Sequence, residues 1–289
     1  MRVEAALAEQ GPVAAGGLVP ESPLQAPRKG RGRQKKVGST APSAVQRLLE
    51  ACKEVFADGG AGIVPSPDNV EWLRSVLGNI GASDVGLTQN ASYFQQDEST
   101  GSLPITYLHI YECDKFSYLL QIGIFCLPPS GVIPLHNHPG MTVFSKILFG
   151  SMHIKSYDWI NVPHNTDKSS NFVHSTPPPG LRLAKVKTDA IFNESSTTSV
   201  LYPEEGGNMH CFTARTSCAV LDVLGPPYSI AEEGRDCTYY RDYPYDSCYG
   251  DINTMPNGNG AYAWLEEKEE PNDFVVVGAK YNGPKILEQ

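Results

Sequence analysis

Pro134-Leu135-His136-Asn137-His138-Pro139-Gly140-Met141-Thr142-Val143-Phe144-Ser145-Lys146-Ile147-Leu148-Phe149-Gly150 is the stretch on which the reading of this chain turns. It opens with two histidines one residue apart, continues into a run of strand composition, and stops at a glycine suited to a turn. Alternate side chains on a strand share a face, so His136 and His138 point the same way, roughly 6.5–7 Å apart along the backbone. Neutral imidazole is the commonest protein ligand for iron, copper and zinc. The pair is therefore the start of a metal site, although two histidines alone do not choose the metal.

Outward from this stretch the chain reads as mainly β. Ile105–Tyr111, Phe116–Leu127, Thr142–Phe149, Met152–Trp159, Leu181–Val186, Thr197–Tyr202, His210–Ala214, Cys218–Leu224, Cys237–Tyr243 and Phe274–Gly278 have strand composition, and proline- or glycine-containing turns separate most of them. Ten or so strands with no helix between them imply a sandwich or barrel. Asn161–Gly180 and Asp246–Gly260 read as surface insertions, and Glu266–Asp273 as an acidic loop before the last strand. Two helices precede the strands. In the first, Val45, Leu48, Leu49, Cys52, Val55 and Phe56 recur at three- and four-residue steps and form one apolar face. The second has Ser66 as cap and Pro67 at the first helical position, followed by Val70, Leu73, Leu77 and Ile80, a strong start signal. Both are expected to cover a sheet rather than to carry chemistry.

Residues 1–40 are rich in alanine, glycine and proline and lack sustained periodicity. They are expected to be a disordered tail, since they cannot bury enough surface to offset ordering entropy, with residues 41–289 as the folded domain. Within the tail, residues 28–36 carry six basic side chains. Such a run reads either as a solvated tail or as a nuclear-import signal, and the expected location is nucleus and cytoplasm. The whole chain has a formal charge of −9 although this tail is basic, so the folded part is acidic and ill-suited to direct nucleic-acid binding. Seven cysteines without a CxxC pair suggest a reducing compartment and no disulfide framework. No apolar run approaches the ~18 residues of a membrane-spanning helix, and Glu4 and Glu9 argue against a secretory leader.

A second element supplies a third imidazole. Pro203-Glu204-Glu205-Gly206-Gly207-Asn208-Met209-His210 is a glycine turn that delivers a histidine onto the following strand. Together with the Gly131–Gly150 region it resembles the two metal motifs of the cupin family. That resemblance implies a double-stranded β-helix, or jelly-roll barrel, with the metal among its interior side chains. Cupins often place a glutamate four or five residues after the second histidine, where this chain has Thr142 and Val143. The ligand set would then be three neutral histidines, which leaves the metal's full charge to be balanced by an anionic ligand such as a thiolate. Three histidines also suit zinc, so a non-catalytic, zinc-holding cupin stays open. His109 and His153 read as strand-face residues, and His164 and His174 as solvated.

The match narrows further. The Pro134–Gly150 stretch, the Gly206–His210 turn, Val223-Leu224-Gly225-Pro226-Pro227-Tyr228 and Cys237-Thr238-Tyr239-Tyr240-Arg241-Asp242-Tyr243 together resemble the plant cysteine oxidases, relatives of cysteamine dioxygenase, from about Ser43 to Ile286. The resemblance implies an Fe(II) enzyme with His136, His138 and His210 as ligands, adding both atoms of O2 to a thiol. It further implies as substrate the N-terminal cysteine of regulatory proteins, chiefly hypoxia-responsive transcription factors, with the oxidised terminus feeding the N-degron pathway. Oxidation of free cysteine or cysteamine is the alternative. A thiol supplies all four electrons that O2 needs, in keeping with the absence of any dinucleotide fingerprint. Asp222 interrupts the apolar run Ala219–Leu224, where an unpaired carboxylate is costly. It is read either as a backbone-bonded structural residue or, by its matching position, as the acceptor of the substrate ammonium. Tyr228 either closes the same pocket or packs at the rim. Cys237 and Tyr239, two apart on an expected strand, are a packing pair or, as in animal relatives, a thioether pair.

Overall fold

The computed structural model of the protein describes residues 41–57, 59–94, 104–113, 119–160, 179–228, 235–247 and 261–287. The tail 1–40 with its basic segment, the insertion up to residue 178 with His164 and His174, and residues 248–260 lie outside the described residues. So does the start of the strand expected from Phe116.

Two helices open the described chain. α1 (Ala44–Val55) starts where Ser43 accepts a hydrogen bond from the Gln46 amide, and α2 (Pro67–Gly78) where Ser66 accepts from that of Asn69. Each cap satisfies an amide that the first turn leaves without a helical partner. Twelve strands follow among the described residues. β1 is Ile105–Cys113, β2 Leu120–Leu127, β3 Val132–His136, β4 Thr142–Phe149, β5 Ser151–Trp159 and β6 Leu181–Asn193. β7 is Ser199–Leu201, β8 Met209–Ala214, β9 Cys218–Gly225, β10 Tyr239–Pro244, β11 Tyr262–Lys268 and β12 Val276–Ala279.

They form two six-stranded sheets, ordered β12-β1-β2-β9-β4-β7 and β10-β11-β6-β5-β8-β3. Among the described residues all pairings are antiparallel except β1 with β12. In the second sheet the ladder closes on itself, because β10 pairs with β3 through Tyr239 and His136. Side chains from both sheets, among them Tyr107, Leu127 and Val220 from one and Ile133, Ile154 and Phe212 from the other, meet in a common core. This is the double-stranded β-helix anticipated for the chain. Gly150 joins β4 of one sheet to β5 of the other at φ +79°, and a Cβ there would run into the Ser217 carbonyl, so the turn requires glycine.

The helices explain why β9 is apolar on its outer face as well as, Asp222 apart, on its inner one. Leu221 and Val223 pack outward against the helical layer of Leu48, Leu49, Cys52, Leu73 and Leu77, together with Ile122, Ile124 and Phe144 of neighbouring strands. Val220 packs inward. A strand buried on both faces reads as a continuous hydrophobic run, and the alternation places Asp222 on the inner face.

Three sequence expectations change. Glu266–Asp273 is not simply a loop, because its first three residues end β11. Glu266 pairs with Arg241 and accepts a hydrogen bond from the Tyr243 hydroxyl at 2.6 Å, so its charge is accommodated on a strand. β6 runs on to Asn193, since its exposed second half pairs with β5 along the whole hairpin. The strand expected at Cys237 begins only at Tyr239, so Cys237 and Tyr239 are not two positions of one strand.

Replacing Leu221, fully buried between sheet and helices, with alanine is expected to cost about 2–5 kcal/mol in urea unfolding. Ile191→Ala, at a side chain 61 % exposed, should change stability by no more than about 0.5 kcal/mol.

Candidate metal centre

His136 is the last residue of β3, and its partner in the ladder is His210 of β8. A register shift between Ile133 and His136 lets both imidazoles face inward. His138 lies beyond the strand, contrary to the expectation that both histidines of the pair sit on one strand, and is held there by Asn208. The His138 amide donates to Asn208 Oδ1 at 2.9 Å, and Asn208 Nδ2 donates to the His138 carbonyl at 2.8 Å. One side chain thus supplies both bonds that a neighbouring strand would have made. The same Nδ2 donates to the Tyr202 carbonyl at 2.8 Å, tying in the chain that leads into the glycine turn.

That turn is shaped by Gly206 and Gly207, at φ +85° and +86°, a region that L-side chains rarely adopt. A Cβ on Gly207 would collide with Ser156. Their amides donate to the Asp158 carboxylate at 3.2 and 2.6 Å, so β5 anchors the turn that delivers His210.

The potential ligand atoms of His136, His138 and His210 all lie within 4.8 Å of one another, and the three residues form one buried group. Burial holds the imidazoles neutral. It lowers His136 to about 4, and it takes His138 and His210 well below the usual histidine value, helped by their mutual proximity. Neutral rings are what a metal requires. Their other nitrogens have partners. His136 Nδ1 is 2.8 Å from the Pro134 carbonyl. His138 Nδ1 is 2.9 Å from the Tyr228 hydroxyl, which itself donates to the Asn137 carbonyl at 2.9 Å. His210 faces the Gly207 carbonyl. With Nδ1–H donating in His136 and His138, each keeps an Nε2 lone pair for a metal, the outer-shell arrangement that fixes ring orientation.

Thr142 and Val143 are buried on β4, Val143 in a small apolar cluster with Met141, Leu201 and Leu224. Neither is a charged ligand, so the donor set among the described residues is three imidazoles. This set fits a divalent transition metal that keeps coordination positions open.

The histidines border a cavity of about 200 Å³ that is also lined by Tyr107, Glu112, Gln121, Phe125, Asp222, Tyr228 and Asp236. Asp222 is buried, one of its oxygens has no partner among the described residues, and burial raises its carboxyl to about 7, partly countered by a hydrogen bond from Ser145. Tyr228 both lines the cavity and positions His138. The Cys237 thiol lies within hydrogen-bonding reach of both Tyr228 and Tyr239, and its pKa is raised chiefly by burial. Tyr239 also donates to Glu270 at 2.6 Å. His109 is exposed on β1, and His153 pairs with Asp189 at 2.7 Å on the surface, so neither joins the centre.

Sequence reasoning assigned no role to Asn208, Glu112, Gln121, Tyr107 or Asp236. Asn208 had a signal in its place between the glycine turn and His210. The others are scattered, and only the folding of β1 and β2 and the approach to β10 bring them together.

The comparisons with known proteins agree with this geometry. The PCO_ADO family model matches residues 76–286. Plant cysteine oxidase 2 of Arabidopsis thaliana is 52% identical over 94% of this chain and 92% of its own length. Plant cysteine oxidase 1 of the same plant is 51% identical over 88% and 85%. The 2-aminoethanethiol dioxygenase of Mus musculus is 31% identical over 85% and 97%. With a family match over most of the chain and the three-histidine cavity in place, the chain belongs to the PCO_ADO family of thiol-oxidising proteins.

Proposed function

We propose that this thiol dioxygenase uses Fe(II), held by His136, His138 and His210, to convert the N-terminal cysteine of proteins to cysteine sulfinic acid. The observation that carries the reading is the placing of the buried Asp222 carboxylate, one oxygen of which has no partner among the described residues, in the same cavity as three neutral imidazoles. An N-terminal cysteine carries an ammonium group two carbons from its sulfur, so one substrate residue offers a cation for the carboxylate and a thiolate for the metal side. The bound ion would supply the place where thiolate and O2 meet and the path by which four electrons leave sulfur, both oxygen atoms ending in the sulfinate.

The remaining work falls to the chain. Asp222 accepts hydrogen bonds from the ammonium and fixes the substrate backbone. Tyr228 and the Pro134 carbonyl hold two of the imidazoles in the tautomer that leaves Nε2 free. Phe125, Phe212, Ile133 and Leu224 make up the apolar part of the cavity wall and limit access of water to the reacting sulfur. O2 is a co-substrate, so the rate falls with oxygen supply below saturation, in keeping with a role in sensing hypoxia through N-degron degradation of Cys-initiating proteins such as hypoxia-responsive transcription factors. The basic segment 28–36 supports a nuclear as well as cytoplasmic location. Cysteamine is the second reading, because it too has an ammonium two carbons from sulfur and because a 31% identical relative is named for it.

Incubated in air with the Fe(II)-loaded protein, a Cys-initiating peptide should gain two oxygen atoms by mass spectrometry, and His210→Ala should lose essentially all of this gain. No gain with folded, iron-loaded protein, or faster turnover of cysteamine than of peptide, would contradict the peptide reading. Asn208→Ala leaves the His138 backbone without its clamp and is expected to lower the retained iron at least roughly tenfold, read by metal analysis after dialysis. Asp222 gives a stability prediction with a definite sign. Its folded-state pKa is raised, so the folded form holds a proton that the unfolded chain has released, and stability falls as pH rises from about 4 to about 7. In metal-free protein, Asp222→Asn should therefore melt progressively higher than the wild type as pH is raised through that window, while its peptide turnover falls by roughly 100-fold.

A further inference from the structure

Two further carboxylates line the same cavity as Asp222, from elements distant in sequence. Glu112, near the end of β1, and Asp236, just before β10, are both exposed, so they stand where the cavity meets solvent while Asp222 is buried inside. No lysine or arginine is among the described residues of the lining, and the three histidines are neutral. Tyr107 lies in the lining near both the buried Asp222 and the exposed Glu112. Its ring occupies the space that a side chain at position 123 would fill, and both Glu112 and Asp222 lie close enough to help burial hold the phenol protonated. Asp236 is fixed by accepting the Cys237 amide at 2.8 Å. The mouth of the route inward is therefore negative, and the buried Asp222 carboxyl beyond it offers a further acceptor for a cation. A low-dielectric cavity lined with one sign of charge concentrates ligands of the other sign.

From this arrangement we infer that Glu112 and Asp236 select among thiols by the charge next to the cysteine. They favour peptides with basic residues directly after the terminal cysteine, and they disfavour acidic residues there and the free amino acid. The inference rests on the reading of Asp222 as the ammonium acceptor. With the cysteine so placed, the next residues of an extended peptide advance about 3.3 Å each and pass the mouth. A peptide presents a neutral amide where free cysteine presents a carboxylate, and that carboxylate would meet the two acidic side chains. Exposed charges are screened, so the expected effect is modest for each, roughly 3- to 5-fold per carboxylate, and weaker at high salt.

The test uses the full iron-loaded chain at low ionic strength with three peptides that begin Cys-Lys-Lys, Cys-Gly-Gly and Cys-Asp-Asp. Wild-type kcat/KM should fall in that order, the first exceeding the last by roughly tenfold or more, with the difference in KM. The double variant Glu112→Gln, Asp236→Asn, which keeps the acceptor for the Cys237 amide, should compress this range to under about threefold. Glu112→Lys should shift the preference toward the acidic peptide. Binding of the matching Ser-initiating peptides, read by fluorescence anisotropy, should follow the same order in each protein. A range unchanged in the double variant, or no charge preference in the wild type, overturns the inference. Oxidation of all three peptides alike would leave the thiol dioxygenase reading standing without the selection. Charge-ordered binding without oxidation would support the selection and reject the peptide-oxidation reading.

Discussion

Strand register governs this site. His136 pairs with His210 on one side and with Tyr239 on the other, so a single position of β3 joins two neighbouring strands and closes the second sheet. Side chains alternate along a strand, and a slip of one residue would turn an imidazole from the interior to the outside. The shift between Ile133 and His136, the double bond of Asn208 to the His138 backbone, and the anchoring of Gly206 and Gly207 on Asp158 all hold that register. Each spans a long sequence separation, which couples the formation of the metal centre to completion of the fold.

The interior carries a cost for what it does. Three imidazoles and a carboxyl are buried where apolar side chains would pack with less penalty, and one Asp222 oxygen has no partner among the described residues. An unpaired buried polar group opposes folding by about 1–3 kcal/mol, offset by the surrounding core. The outer face of β9 contributes much of that offset through Leu221 and Val223 against the two helices. The helices carry no chemistry, yet they make it possible for the inner face of the same strand to hold a destabilising residue, a common trade at functional sites.

Much of this was legible locally. The Ser66-Pro67 start, the apolar stripe of α1, the run Thr142–Phe149 and the glycine at 150 are short-range signals, and each meets its expected element. Asp222 stood out because it broke an apolar run. The end of β11 is hidden in the sequence because Glu266, Glu267 and Lys268 resemble a loop until Arg241, Tyr240 and Tyr239 are placed opposite them. The position of His138 off the strand, and the clamp that holds it, depend on Asn208 seventy residues away, beyond any periodicity. The carboxylates Glu112 and Asp236 are ordinary surface residues in the sequence and become neighbours of the site only through folding.

A carboxylate-free set of three imidazoles leaves room and charge for a substrate thiolate. X-ray absorption at the iron edge of the Fe(II)-loaded protein, recorded anaerobically with and without a Cys-initiating peptide, tests it most directly. Scattering from imidazole rings and light oxygen or nitrogen donors is expected in the protein alone, with a sulfur neighbour appearing when the peptide is added. A first shell unchanged by the peptide, or a protein that retains stoichiometric zinc in preference to iron and takes up no oxygen, would contradict it.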